Sequence, residues 1–409
     1  MKHLEKDIKM RFIALILLIF SGIIPVLAQN DTNTLQGSSD TSLVEIDPMD
    51  SVEVSLLTCS PHEEIYSLYG HSALRWHDLH KAGPHAGEDW VFNWGIFNFA
   101  KPHFVLRFVF GLTDYELGVF PFAHFWPYYQ KWGSSITEQV LNLTNDEKRR
   151  VQQALAENMK PENRVYRYNF FYDNCSTRPR DIIERNIEGK VEYQAREDYS
   201  PSFREMVREC NRNHDWSKFG NDMLLGLKAD FKTNRQEQEF LPTNLMYDFA
   251  TAQVYKDGNY RPLVKEQRQI VQPGVQIIER DFPQTPTECA VLFLLLSVCI
   301  MWIEWRRKKT LKWWDVSLMT VQGLAGCLLF VMIFSQHPTT SLNLNLLLLN
   351  PLPLFFIPAV IRRKATRWWK LEITLLAIYA IGSFFQSYPE GMMIVALSLL
   401  LRVIVNEKK

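Results

Sequence analysis

Tyr69-Gly70-His71-Ser72-Ala73-Leu74-Arg75-Trp76 carries a histidine within a strand-like pattern. The spacing predicts a strand over Ser67 to Trp76, and Gly70 allows another backbone to approach closely. Further along, Tyr172-Asp173-Asn174-Cys175-Ser176-Thr177-Arg178 follows a second strand-like run, Arg164 to Phe171, and leads into helical sequence through Arg185. Asn174 is a good helix N-cap residue, which puts Cys175 on the first turn. A thiol there feels the positive end of the helix dipole, which favours thiolate. The unpaired N–H groups of that turn are suited to holding an oxyanion. Arg178 and Arg180 add positive charge, while Pro179 moves the expected helix start towards Thr177.

Taken singly, each residue has a bland explanation. A free cysteine is most often a small buried hydrophobe, and a lone strand histidine is usually structural. Together, a histidine on one strand, a cysteine at a strand-to-helix junction and a polar residue on the next strand make a thiolate–imidazole triad suited to acyl chemistry. In Val91-Phe92-Asn93-Trp94-Gly95, Asn93 is the first choice to orient the imidazole, with Asn98 and Asp78 as alternatives. Tyr69, Arg75, Asn174 and Arg178 flank the pair as supporting or substrate-binding positions.

Outward from these blocks, Ser51 to Leu57, Asp89 to Trp94 and Ile136 to Leu143 alternate as strands. Thr144-Asn145-Asp146-Glu147 forms a capping box for a helix running to about Met159. Strands and helices mix without regular βαβ alternation, so the class is α+β. From Phe97 to Trp132 the sequence is dense in Phe, Trp and Tyr, which suits either a core of bulky rings or a cleft at a lipid interface.

Lys and Arg total 45, as do Asp and Glu, so no global basic field points to nucleic acid. Cys59, Cys175 and Cys210 lie in the polar part of the chain. A Cys59–Cys210 bridge, if the geometry allows it, leaves Cys175 as the unpaired thiol. His77-Asp78-Leu79-His80 with His85 lacks the helical spacing and acidic base of a hydrolytic zinc motif, so neither a metal nor another cofactor is expected.

Residues 1–28 read as a signal peptide, with an apolar run from Phe12 to Leu27 ending at Val26-Leu27-Ala28; the alternative is an uncleaved anchor. Residues 29–50 read as a disordered tether, residues 51–288 as an exported catalytic domain, and residues 289–405 as a membrane domain. Apolar runs near 289–305, 314–334, 346–361, 371–387 and 391–405 predict five transmembrane helices. Arg306-Arg307-Lys308-Lys309, Arg362-Arg363-Lys364 and Lys408-Lys409 fall at alternate connections, which puts the C-terminus in the cytoplasm. Helical spans imply the inner membrane, because outer-membrane proteins span as barrels. Trp313-Trp314 and Trp368-Trp369 are expected at the interfacial belts, and Asn343, Asn345 and Asn350 beside a cavity opening to the periplasm.

The segments YGHSALRWHD, FNWGIFNF, YNFFYDNCSTRPRDII and HPTTSLNLNLLLLNPLP resemble the Bacteroides-type lipoprotein N-acyltransferases that share the Lnb N-terminal periplasmic domain. The order of histidine before an Asn-Cys dipeptide is also similar to permuted papain-like thiol acyltransferases of the lecithin:retinol type, from which Asn93 departs by standing in place of a second histidine. The resemblance implies a papain-like periplasmic domain and transfer of an acyl chain in two steps. The chain would pass from a membrane phospholipid to Cys175, then to the N-terminal amine of a diacylglyceryl-cysteine lipoprotein, with His71 moving protons. The rivals are a thiol hydrolase acting on cell-wall peptide or phospholipid, and a non-catalytic membrane scaffold.

Overall fold

The structure is a computed structural model that describes residues 47–81, 86–97, 102–276, 282–362, 364 and 366–407. The signal peptide, almost all of the tether, His85 and Asn98 lie outside the described residues. Asp47–Lys409 cluster as one compact unit.

A seven-stranded antiparallel sheet organises the first part. Its strands are β1 (Val52–Cys59), β2 (His71–Asp78), β3 (Asp89–Ile96), β4 (Asp114–Pro121), β5 (Ile136–Leu141), β6 (Val165–Arg167) and β10 (Val264–Val271), in the order β10-β5-β1-β2-β3-β4-β6. Alternation assigns each face. Leu74 and Trp76 join Val54, Leu56 and Trp94 in the larger core, under Val151 and Leu155 of helix Asn145–Met159, Ile183 of helix Thr177–Asn186, and Leu245 and Phe249 of helix Pro242–Thr251. Ala73 and Val91 face the other way with Leu57 and Ile136, covered by Phe122, Phe125 and Tyr129 of helix Phe122–Lys131. Three smaller strands, β7 (Lys190–Glu192), β8 (Gln253–Lys256) and β9 (Asn259–Pro262), form a separate sheet.

The capping box is present as expected: Thr144 Oγ1 accepts from the Glu147 N–H and Glu147 from the Thr144 N–H. Two strands differ from the sequence reading. Strand β2 starts at His71, because Ile65–Ser67 is a 3₁₀ turn and Gly70 takes φ +75°. A Cβ at Gly70 would lie 2.8 Å from the Cys59 carbonyl oxygen, so only glycine brings the chain this close to β1. Strand β6 is three residues long instead of eight, because Asn169 turns the chain. Its side chain accepts from the N–H groups of Phe171 and Tyr172, and its backbone pairs with Asp173.

The second part is helical: Pro286–Arg307, Lys312–Met332, Asn345–Leu348 continued by Leu352–Ile361, Thr366–Gly382 and Met392–Glu407. Among the described residues, two of these, Pro286–Arg307 and Lys312–Met332, are long and apolar enough to cross a membrane. Pro351 interrupts the third apolar run, with Asn350 Oδ1 accepting from the Leu352 N–H. Asn343, Asn345 and Asn350 are buried and bonded to protein: Asn343 Nδ2 donates to the Met223 carbonyl, and Tyr379 Oη donates to Asn345. Trp368 and Trp369 are also buried, packed in a cluster with Phe356 and Met319, whereas Trp313 is exposed. The helical part is fastened to the sheet-rich part by backbone bonds from Gly226 and Leu227 to the carbonyls of Thr339 and Leu342, and by the Lys218–Glu390 ion pair at 2.8 Å.

Candidate functional site

Strands β2 and β3 place the histidine and the asparagine. Their register pairs Leu74 with Phe92 and Arg75 with Val91. Continued three residues, it sets His71 opposite Gly95, with Asn93 on the diagonal of the same face. The imidazole lies beside Gly95 and reaches Asn93. His71 Nε2 donates to Asn93 Oδ1 at 2.5 Å, leaving Nδ1 as the ring nitrogen for Cys175. Strand β3 bulges between Trp94 and Ile96, and Gly95 takes φ +103° there. A Cβ built on Gly95 would lie 3.9 Å from both the Cys175 Cβ and the His71 Cε1.

The cysteine is fixed by the turn before helix Thr177–Asn186. Asn174 Oδ1 accepts from the N–H groups of Ser176 and Thr177, and its Nδ2 donates to the carbonyls of Phe170 and Phe240. Thr177 Oγ1 in turn accepts from the Asn174 N–H, and Ser176 Oγ bonds Ser72 Oγ at 3.1 Å. Asn174 therefore positions the thiol and lines the cavity beside it. It also uses up two of the N–H groups expected to hold an oxyanion.

Cys175 and His71 hydrogen-bond to each other, and each changes the other's ionisation. Burial alone raises the thiol, but the His71 charge and hydrogen bond, with further bonds from the Ser72 N–H and the Ser176 hydroxyl, bring it below the ordinary thiol value. Burial likewise pulls the imidazole down, and Cys175 with Asn93 raises it above its ordinary value overall. Opposite shifts in two touching groups favour the thiolate–imidazolium form of the pair. Burial moves the other thiols of this part the opposite way: Cys59 is raised, and Cys210 is pushed up to about 12. The Cys59–Cys210 bridge is not made. Cys59 ends β1 beside Tyr129, Cys210 ends helix Phe203–Cys210, and both are free thiols.

Of the flanking residues, Tyr69 joins the site and the two arginines do not. Tyr69 lines the cavity at the thiol, its hydroxyl accepting from Asn211 at 2.8 Å and Asn221 at 3.1 Å. Arg75 is locked between β3 and β5 by a bidentate pair with Asp89, both contacts at 2.7 Å, and a bond to Glu138, with Phe122 beneath it. Arg178 forks onto Asp173 and stacks on Tyr166, and Arg180 is tied to Asp181 and Glu239. The thiol therefore owes its ionisation to His71 and not to the arginines. Asp78, the alternative orienter, instead binds His80 at 2.6 Å.

Cys175, His71 and Asn93 open into a cavity of about 640 Å3, within the usual range of ligand pockets, roughly 300–1,000 Å3. Its wall is mainly aromatic and aliphatic, with Tyr115, Tyr129, Tyr168, Phe170, Phe240 and Leu225 near the pair or beyond it. Tyr115 stacks on Tyr168 with ring centres 4.1 Å apart. The cavity also takes in Met332, His337, Thr339 and Thr340, which come from the end of helix Lys312–Met332 and the loop after it. Tyr168, His337, Thr339 and Thr340 lie within segments that carry the family resemblance, but the sequence did not assign them or Met332 to the site. The remaining signal was the aromatic density between Phe97 and Trp132, from which Phe97, Phe108, Tyr115, Tyr128 and Tyr129 line the cavity.

A cysteine and a histidine in contact, with an asparagine beyond them, open into a mainly apolar cavity whose wall includes the end of a helix apolar enough to cross a membrane. Family comparison matches residues 42–210 to the Lnb N-terminal periplasmic domain and residues 277–408 to the Lnb transmembrane domain. The chain belongs to the Lnb family. It is a membrane protein with a periplasmic part, and its family points to a function in lipoprotein N-acylation and to an acyltransferase. No curated protein and no solved structure matches the chain.

Proposed function

We propose that this protein is a lipoprotein N-acyltransferase that carries an acyl chain from a membrane phospholipid, through a thioester on Cys175, to the N-terminal amine of a diacylglyceryl-cysteine lipoprotein. The observation that carries the proposal is the Cys175–His71 pair, with its lowered thiol and raised imidazole, set in an apolar cavity that reaches the membrane-type helices.

In the first half-reaction the Cys175 thiolate attacks the ester carbonyl carbon, forming the C–S bond. The Cys175 N–H, which has no protein acceptor among the described residues, is the donor we assign to the developing oxyanion. Collapse breaks the C–O bond, and the His71 imidazolium gives its Nδ1 proton to the departing lyso-lipid oxygen. In the second half-reaction the lipoprotein amine attacks the thioester and His71 accepts the amine proton. The C–S bond breaks, giving the amide and restoring the ion pair. Asn93 keeps Nε2–H engaged throughout, so Nδ1 always faces the sulfur.

A thiol packed against an antiparallel sheet, with the histidine and asparagine on adjacent strands, supports the permuted papain-like reading. We also propose five spans, residence in the inner membrane and a cytoplasmic C-terminus. Helices Thr366–Gly382 and Met392–Glu407, with 17 and 16 residues, are near the lower limit for spanning, roughly 17. The basic clusters at alternate connections support the orientation. Anchoring both lipid substrates at one surface supplies proximity.

The decisive experiment is mass spectrometry of lipoprotein N-terminal peptides from a strain lacking this protein, complemented with the natural chain, Cys175→Ser or His71→Ala. The proposal expects N-acylation to disappear in the deletion and return only with the natural chain. Unchanged N-acylation in the deletion refutes the reaction, and full rescue by Cys175→Ser favours a binding scaffold.

A further inference from the structure

Segment 102–113 contains the short helix Phe104–Val109 and two well-exposed apolar side chains, Leu106 (60% exposed) and Phe108 (41%). It is joined to the loop that leaves helix Lys312–Met332. The Gln336 N–H donates to the Phe110 carbonyl at 2.9 Å, and His337 Nε2 donates to the Phe108 carbonyl at 3.2 Å. Gly111, at φ +68°, allows the close approach; a Cβ there would meet Gln336 at 3.2 Å and the His337 nitrogen at 3.3 Å. Arg167 reaches Gln336 from β6.

These contacts set the level of the segment. Helix Lys312–Met332 has 21 residues and is apolar enough to cross a bilayer, about 31 Å at 1.5 Å per residue. Whatever is bonded within a few residues of its end therefore sits at the boundary of the hydrocarbon layer. Phe334, 65% exposed, lies in the same loop. Phe108, Met332 and His337 also line the cavity that holds Cys175, so the cavity opens beside this segment. Exposed apolar side chains at such a boundary are stable against lipid and costly in water.

We infer that segment 102–113, with Leu106 and Phe108 leading, dips into the periplasmic leaflet of the bilayer and forms the edge over which a phospholipid acyl chain passes into the catalytic cavity. The occupant of this face is the lipid surface itself. The burial of Leu106 in lipid rests on the membrane reading alone, whereas the passage of the acyl chain rests also on the proposed acyl transfer. Two measurements separate them.

The full-length protein is reconstituted in phosphatidylcholine vesicles, and Leu106→Trp is compared with its parent. Lipids brominated near the ester end of the acyl chain are expected to quench the added emission, and aqueous iodide to leave it unquenched. Iodide quenching without bromine quenching overturns the insertion. In the second arm, Leu106→Glu, which alters a side chain outside the cavity wall, is expected to slow acyl-thioester formation from vesicle phospholipid at least tenfold. The same variant should cleave a short, water-soluble thiol-reactive ester at the parent rate. Equal rates on vesicle lipid overturn the entry role, and equal loss on both substrates overturns it in favour of a packing defect. A parent inactive on both substrates counts against acyl transfer and leaves the quenching result to decide insertion.

Discussion

The 2.5 Å bond from His71 Nε2 to Asn93 Oδ1 makes Asn93→Ala the most informative single change. The imidazole is raised above its ordinary value, and Asn93 is one of the groups that raise it, acting against burial and alongside Cys175. A hydrogen bond to a charged group contributes roughly 1.5–3 kcal/mol. Nε2–H is bonded in the neutral ring as well, so only part of that energy separates the two protonation states, and losing it lowers the imidazolium. The sign decides which side of the pH profile moves. In the proposed reaction, lyso-lipid release needs Cys175 deprotonated and His71 protonated, so the rate rises as pH passes the thiol and falls as pH passes the imidazolium. The thiol loses its proton beside an imidazole that is already charged, and that step does not depend on Asn93.

Asn93→Ala is therefore expected to draw the alkaline limb of lyso-lipid release to lower pH and leave the acid limb in place. On that limb the rate falls several-fold. Iodoacetamide alkylation, followed by mass spectrometry at Cys175, should persist on the alkaline side, because the thiolate survives loss of the imidazolium proton. Unmoved limbs, or a uniform loss at every pH together with slower alkylation, would show that Asn93 does not hold the charge on His71.

Gly95→Ala forces an alanine into φ +103°, a strain of about 1–3 kcal/mol, so thermal unfolding in detergent should fall by a few degrees and Cys175 alkylation should slow. Arg402 is buried among the helices, paired with Glu304 at 2.8 Å and Asp315 at 2.6 Å. Arg402→Leu leaves two buried carboxylates without their cation and should destabilise the protein by about 3–5 kcal/mol, with most of the loss recovered when Glu304 and Asp315 are also made apolar. Arg178→Gln should change Cys175 alkylation by less than about twofold, since the charge acting on the thiol is that of His71. A large drop in that variant would restore the arginine to the site.

The parts of the fold visible in the sequence are those with a local cause. The Thr144–Glu147 box, the alternation in β1 and β3 and the apolar runs after residue 288 depend on neighbours within a few residues, and periodicity records them. The histidine and cysteine stood out because their surroundings are short and distinctive. Partner choice was not visible. Arg75 and Arg178 sit close in sequence to the reactive pair, yet each is drawn to a carboxylate, Asp89 or Asp173, because a buried guanidinium needs a fork-shaped partner more than a thiol needs a second cation. Trp368 and Trp369 look interfacial in sequence, but the neighbouring helices cover them.

Gly95 explains why the pair needed a fold to be recognised. Its backbone takes φ +103° where β3 bulges opposite His71, while a Cβ there would be in ordinary contact, 3.9 Å, with the His71 Cε1 and the Cys175 Cβ. What a side chain at Gly95 would disturb is the backbone that carries Asn93 two residues away, leaving every sequence motif around Cys175 intact. Phe97, just past the bulge, stacks on Tyr115 with ring centres 5.0 Å apart at the cavity wall. Reactive residues and apolar lining thus meet at one local irregularity. Burial is the largest influence on Cys175 and pushes the thiol up, so what brings it down is the charge and the hydrogen bonds that His71, Ser72 and Ser176 supply around it.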